Sequence, residues 1–161
     1  MKRFIKAAAP TIAIALTACA GFSGRGLIAG QSTAEQVEAL MGTATGTRRE
    51  PSGETVRYYS RLPSGYETFA AHIGPDGKLR RIDQVLTSDN IAKLHAGISR
   101  ADDVRVLLGP PYRTDAFPRL ERDVWSYKAH AGGPGGKDLY IQFSPDGLVR
   151  EVLLMDEFSG G

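Results

Sequence analysis

Apolar positions in this chain follow two rhythms that alternate along its length. Val37, Leu40 and Met41, and again Val104, Leu107 and Leu108, are spaced i, i+3, i+4, which places each trio on one stripe of a helix. Ser32 with Glu35, and Ser99 with Asp102, have the spacing of a capping box, in which hydroxyl and carboxylate satisfy orphan amide hydrogens at a helix start. Gly42 and Gly109 then offer the left-handed residue that ends a helix, and Pro110 blocks its continuation. A shorter helix is predicted over residues 90–96, closed by Gly97, so helix, tight turn, helix is the expected entry to each half.

The second rhythm has period two. Residues 55–61, 66–73 and 78–86, and then 123–130, 138–144 and 148–155, are rich in aromatic and branched side chains and are divided by turns. Those turns are Pro63-Ser64-Gly65, Pro75-Asp76-Gly77, Pro145-Asp146-Gly147 and the glycine-rich residues 132–136. The pattern predicts antiparallel hairpins. Phe69, Ala71 and Ile73 alternate with Thr68, Ala70 and His72, as Leu139, Ile141 and Phe143 alternate with Tyr140 and Gln142. One face is expected to pack on the helices while the other stays open.

The two halves are related. Residues 27–42 align with 94–109 at Leu27/Leu94, Ala29/Ala96, Gly30/Gly97, Ser32/Ser99, Ala34/Ala101, Val37/Val104, Leu40/Leu107 and Gly42/Gly109, an offset of 67. The Pro-Asp-Gly turns repeat at an offset of 70, and the drift fits loops, where insertions are tolerated. The expected fold class is α+β: two tandem helix-helix-three-stranded antiparallel modules, at residues 26–87 and 88–158.

Composition changes the picture at the amino terminus. The 161 residues carry a formal net charge of +2, but Lys2, Arg3 and Lys6 precede an apolar run at residues 7–15, interrupted only by Pro10 and Thr11. That layout reads as a secretory signal peptide over residues 1–18. Leu16-Thr17-Ala18-Cys19 resembles the lipobox of bacterial lipoproteins, and by that resemblance Cys19 carries the lipid and residues 19–25 form a tether. Removing residues 1–18 takes three positive charges and no negative ones, which leaves −1 and removes the support for a nucleic-acid partner. Cys19 is the only cysteine, so an intrachain disulfide, a CxxC redox pair and a cysteine zinc cage are excluded. Ala20, by resemblance to enterobacterial lipoproteins, favours the outer membrane over the inner one, with the chain facing the periplasm.

The run Leu94-x-x-Gly97-x-Ser99, the helix ending Leu107-Leu108-Gly109-Pro110-Pro111, Trp125-x-Tyr127, Phe143 and the Pro-Asp-Gly turn together resemble the SmpA/OmlA (BamE-like) family of outer-membrane lipoproteins. The resemblance implies two helices on a three-stranded sheet in each module and a role in outer-membrane protein assembly, with the β-barrel assembly complex as partner. A tandem of such units also resembles the β-lactamase inhibitor protein, which implies the alternative of gripping a periplasmic enzyme such as a β-lactamase or peptidoglycan hydrolase. The first module departs from the pattern, with Arg57 where the second has Trp125 and Thr43 where it has Pro110.

Catalytic chemistry finds little to stand on. His72, His95 and His130 have no HExxH or His-x-His spacing, so no metal site is expected. Residues 132–137 fail as a phosphate loop, because Ala131 stands where the first glycine belongs, Asp138 replaces the Ser or Thr, and a strand follows. Asp102 and Asp103 are adjacent, so their side chains diverge rather than pairing. The expectation is a non-catalytic binding module without cofactor or small-molecule substrate. With Tyr59, Trp125 and Tyr127 in the core, the candidate partner-contacting residues on the exposed strand faces are Tyr58, His72, Lys128, Tyr140 and Gln142.

Overall fold

A computed structural model describes residues 21–131 and 135–157. Residues 1–18, read above as a signal peptide, and Cys19, together with the centre of the glycine-rich loop, lie outside the described residues. Two four-stranded antiparallel sheets dominate. The first is formed by β1 (Gly46–Arg49), β2 (Thr55–Ser60), β3 (Thr68–Ile73) and β4 (Leu79–Gln84), in that spatial order. The second is formed by β5 (Arg113–Phe117), β6 (Arg122–Ala129), β7 (Lys137–Phe143) and β8 (Val149–Asp156), again in chain order. Among the described residues only three short α-helices accompany them: α1 (Ala34–Met41), α2 (Ser88–Ile91) and α3 (Ala101–Leu108).

The expected helix-helix-three-strand modules are therefore corrected to four-stranded meanders with little helix, a mostly β protein. The additional strands, β1 and β5, have the sequences GTRR and RTDAF. They lack the apolar alternation that marks a half-buried strand because they are sheet edges, where charged side chains keep other chains from pairing. The missing helix is in the first half, where residues before α1 form turns. Gly24, Gly26 and Gly30 all adopt positive φ there, which no regular helix accommodates. The helix expected at 90–96 is the single turn of α2.

The helix starts lie one residue beyond the sequence assignment. Thr33 is the cap of α1, its hydroxyl accepting from Gln36 N (3.4 Å) while Gln36 Oε1 accepts from Thr33 N (2.9 Å). At α3 the Asp103 carboxylate accepts from Arg100 N (2.7 Å). Ser32 and Ser99 instead reach backward, accepting from Ile28 N (2.9 Å) and His95 N (3.0 Å), and so tie each preceding turn to the helix start.

The two halves repeat the same backbone bonds. Gly30 N donates to Leu79 O and Leu79 N to Ser32 O; at equivalent positions Gly97 N donates to Val149 O and Val149 N to Ser99 O, at 2.7–2.8 Å. Both third strands also carry a register shift at one site, between His72 and Ile73 and between Gln142 and Phe143. Each helix entry is thus bonded to the edge strand of its own sheet.

Three apolar layers result. Val37 and Met41 of α1 pack on Tyr59, Ala71, Ile73 and Leu79. Ile91 of α2 and Val104 and Leu108 of α3 pack on Trp125, Tyr127, Leu139, Ile141 and Val149. The third layer, Val56, Tyr58, Ala70 and Val85, lies on the opposite face of the first sheet. It is covered by the second half: Gly109 lies against Tyr58 and Thr68, and the Asn90 amide donates to Val85 O (2.8 Å) and Leu107 O (3.1 Å). Burying one such side chain contributes about 1.5–3 kcal/mol, so this joint binds the halves into one unit.

Candidate functional site

Two helix layers and one inter-half joint cover three of the four sheet faces. The fourth, on the second sheet opposite α2 and α3, has no cover among the described residues. Cross-strand register builds it: Arg113 pairs with Ser126, Asp115 with Val124, Val124 with Gln142, Ser126 with Tyr140, and Tyr140 with Leu153. Period-two alternation then brings all these side chains to one side. They line a hollow of about 420 Å³ together with Tyr112, Phe117 and Leu120. Its floor is apolar and partly aromatic, and at its margin Phe117 and Leu120 remain 45% and 65% exposed.

Polar groups on this face are held in fixed orientations. Both Nε and Nη2 of Arg113 donate to Asp115 Oδ1 (2.9 and 2.8 Å), which fixes a planar guanidinium at the rim. The amide oxygen of Gln142 accepts from Arg122 Nη1 (2.7 Å), which fixes the amide in the lining of the hollow. Lys128 Nζ donates to Glu157 Oε1 (2.5 Å) and lies 3.3 Å from Asp138 Oδ1. The bond to Glu157 holds the lysine ammonium well above the usual lysine range, and the same bond, with a second from Tyr66, holds the Glu157 carboxyl below its ordinary value.

The five candidate residues separate. Tyr140 and Gln142 line the hollow. Lys128 is on the same face but is engaged by its two carboxylates. Tyr58, expected on an open face, is only 4% exposed because α3 and Gly109 cover it. His72 is on the same face of the first sheet, in a charged cluster: Nδ1 is 2.6 Å from Glu54 Oε1, and Nε2 is 3.4 Å from Asp83 Oδ2 and 3.2 Å from Arg81 Nη2. With both ring nitrogens so engaged, the histidine links Glu54, just before β2, to Arg81 and Asp83 of β4. Among the described residues no group of three or more His, Cys, Asp or Glu side chains is placed to hold a metal ion.

Sequence reasoning missed Tyr112, Arg113, Phe117, Leu120 and Leu153 as constituents of the face. A signal existed in the alternation of Arg113, Asp115 and Phe117 with Thr114 and Ala116, but two of those three outward residues are charged.

The fold and face define a small tandem-sheet protein with one uncovered, aromatic-floored surface. No protein-family model and no curated protein sequence matches the chain. Among solved structures, a DUF4309 family protein, YjgB, from Bacillus subtilis is similar over 83% of this chain and 84% of its own, at 19% identity and a TM-score of 0.32. A likeness at that TM-score carries neither fold nor function. No helix among the described residues is long and apolar enough to cross a membrane.

Proposed function

We propose that this chain is a non-catalytic protein-binding module, tethered to the outer membrane through lipid on Cys19, that holds an envelope protein against the open face of its second sheet. The observation that carries the reading is the contrast between that face and the other three, each of which is covered wholly or in part by a helix or by the other half. A hollow with Tyr140, Val124 and Leu153 as its floor, Phe117 at its margin and an oriented guanidinium and amide at its rim suits an apolar or aromatic side-chain cluster on a protruding loop. Supporting subunits of the β-barrel assembly complex is the leading specific role, on the strength of the SmpA/OmlA resemblance and the lipobox.

A photo-crosslinking amino acid at Tyr140 in cells tests this, with the same group at exposed Ala39 of α1 as comparison. Adducts to barrel-assembly subunits from position 140 and not from 39 are expected. Equal adducts from both positions, or none from either, would overturn the reading. Release of the chain to the soluble fraction in a Cys19→Ser variant is the expected outcome for the tether, and unchanged membrane residence would remove it.

A further inference from the structure

Strand β8 is an edge of the second sheet, and its outer side is bounded at both ends. At its start the turn at residues 97–99 occupies that side, since Gly97 N donates to Val149 O and Val149 N donates to Ser99 O (both 2.7 Å). At its end the strand stops at Asp156, and Glu157 is engaged by Tyr66 and Lys128. Between these limits residues 150–156 have no strand on the outer side among the described residues; on the inner side residues 151–156 pair with β7, and Arg150 is the extra residue at the register shift between Gln142 and Phe143. The corresponding edge of the first sheet, β4, carries Arg80, Arg81 and Asp83 along its length, the charges expected of a protected edge. Strand β8 has its charges, Arg150, Glu151 and Asp156, at its two ends and an apolar run, Val152-Leu153-Leu154-Met155, between them, with Leu154 and Met155 44% and 55% exposed.

We infer that residues 150–156 pair antiparallel with the same segment of a second copy of this chain, joining two second sheets into one of eight strands. The free stretch fixes the register. Its midpoint is Leu153, and a twofold axis there sets Leu153 opposite Leu153 of the partner subunit. Val152 then faces the partner subunit's Leu154, which covers an exposed leucine on the helix side of the sheet. Arg150 faces the partner subunit's Asp156, twice by symmetry. Arg150 has no ion pair among the described residues, and the Asp156 carboxylate, although it accepts from Lys137 Nζ, is still 88% exposed and open to a second cation. Neighbouring registers are poorer. Moving the axis half a residue toward the carboxyl terminus sets Glu151 opposite Asp156, two like charges, and moving it the other way sets Arg150 opposite Met155. The dimer also places the two open faces side by side on one continuous sheet, but it does not depend on what those faces bind.

The test uses the full chain purified in detergent micelles, followed by sedimentation across concentration. A dimer is expected, with Asp156→Arg and Arg150→Asp each weakening it about tenfold or more and the double exchange Arg150→Asp/Asp156→Arg restoring it. In parallel, Leu153→Cys is expected to give a disulfide-linked dimer on mild oxidation, whereas the unsubstituted chain and Arg80→Cys on β4 are not. A monomer at all concentrations up to about 100 μM, or a dimer indifferent to both charge reversals, overturns the inference. Because neither assay requires an envelope partner, such a failure leaves the docking reading standing, and loss of crosslinks from position 140 leaves the dimer standing.

Discussion

The Tyr127 hydroxyl donates to the carbonyl of Gly109 at 3.1 Å in a buried setting, tying the end of α3 to the centre of the second sheet. Burial pushes the Tyr127 hydroxyl's pKa far up, so it remains a donor at every pH the fold survives. The tyrosine at the matching place in the first half, Tyr59, is equally buried but its hydroxyl has no hydrogen-bond partner among the described residues. Tyr127→Phe is therefore expected to destabilise by about 1 kcal/mol, while Tyr59→Phe is neutral or stabilising. Urea unfolding of the two variants checks this, and equal losses would contradict it.

Gly109 and Gly42 end matching helices with matching backbone, at φ of 79° and 89°. Their surroundings differ. A Cβ at Gly109 would lie 2.9 Å from Thr68 Cγ2 and 3.1 Å from Tyr58 Cδ1, whereas one at Gly42 would meet nothing within 4 Å. Gly42→Ala should cost only the backbone strain, about 1–3 kcal/mol. Gly109→Ala should cost about 1–3 kcal/mol more, since overpacking of the joint adds to that strain. Denaturation midpoints separate the two.

At another matched pair the halves use different chemistry for one contact. Arg105 lies 4.4 Å over the Trp125 ring, while at the corresponding positions Glu38 Oε2 accepts from Arg57 Nη1 at 3.2 Å. An exposed ion pair contributes about 0–1 kcal/mol and is screened by salt. Stacking of a guanidinium on an aromatic face contributes about 0.5–1 kcal/mol and also covers apolar area. The small destabilisation from Glu38→Gln is expected to vanish in high salt, whereas that from Arg105→Gln persists. Thermal melts at low and high sodium chloride measure both.

Glu157 links the halves through Tyr66 Oη (2.8 Å) and Lys128 Nζ (2.5 Å). Its folded-state pKa lies below the ordinary glutamate value of 4.5, so its contribution is present above that value and is lost as pH falls through the depressed one. Glu157→Gln should therefore melt earlier than the parent at neutral pH, and the gap should close as the solution is acidified through the depressed glutamate range. A gap independent of pH would mean that the carboxylate's charge plays no part.

What the sequence made legible was what depends on neighbours in the chain. The stripe Val104–Leu108, the six apolar-rich strands, the Pro-Asp-Gly turns and the core positions of Tyr59, Trp125 and Tyr127 all follow from local spacing. The edge strands did not, because Arg48, Arg49, Arg113 and Asp115 serve an edge's exposure rather than a core. Tyr58 was placed on the correct side of its strand but assigned to solvent, since its cover comes from Gly109, some fifty residues away. The open face was half visible, through Tyr140 and Gln142, and its other wall rests on the unanticipated β5. His72 read as a solitary histidine because Glu54 reaches it from the turn before β2 and Arg81 and Asp83 from β4, two segments distant in sequence.

The joint between the halves makes the repeated architecture asymmetric. One copy has become a pedestal whose second surface is spent on holding its sibling, and only the sibling retains a surface to offer. A fragment cut after Leu86 would leave Val56, Tyr58, Ala70 and Val85 bare and would tend to precipitate, so neither copy can be shed on its own. Heat should accordingly melt the chain in a single step.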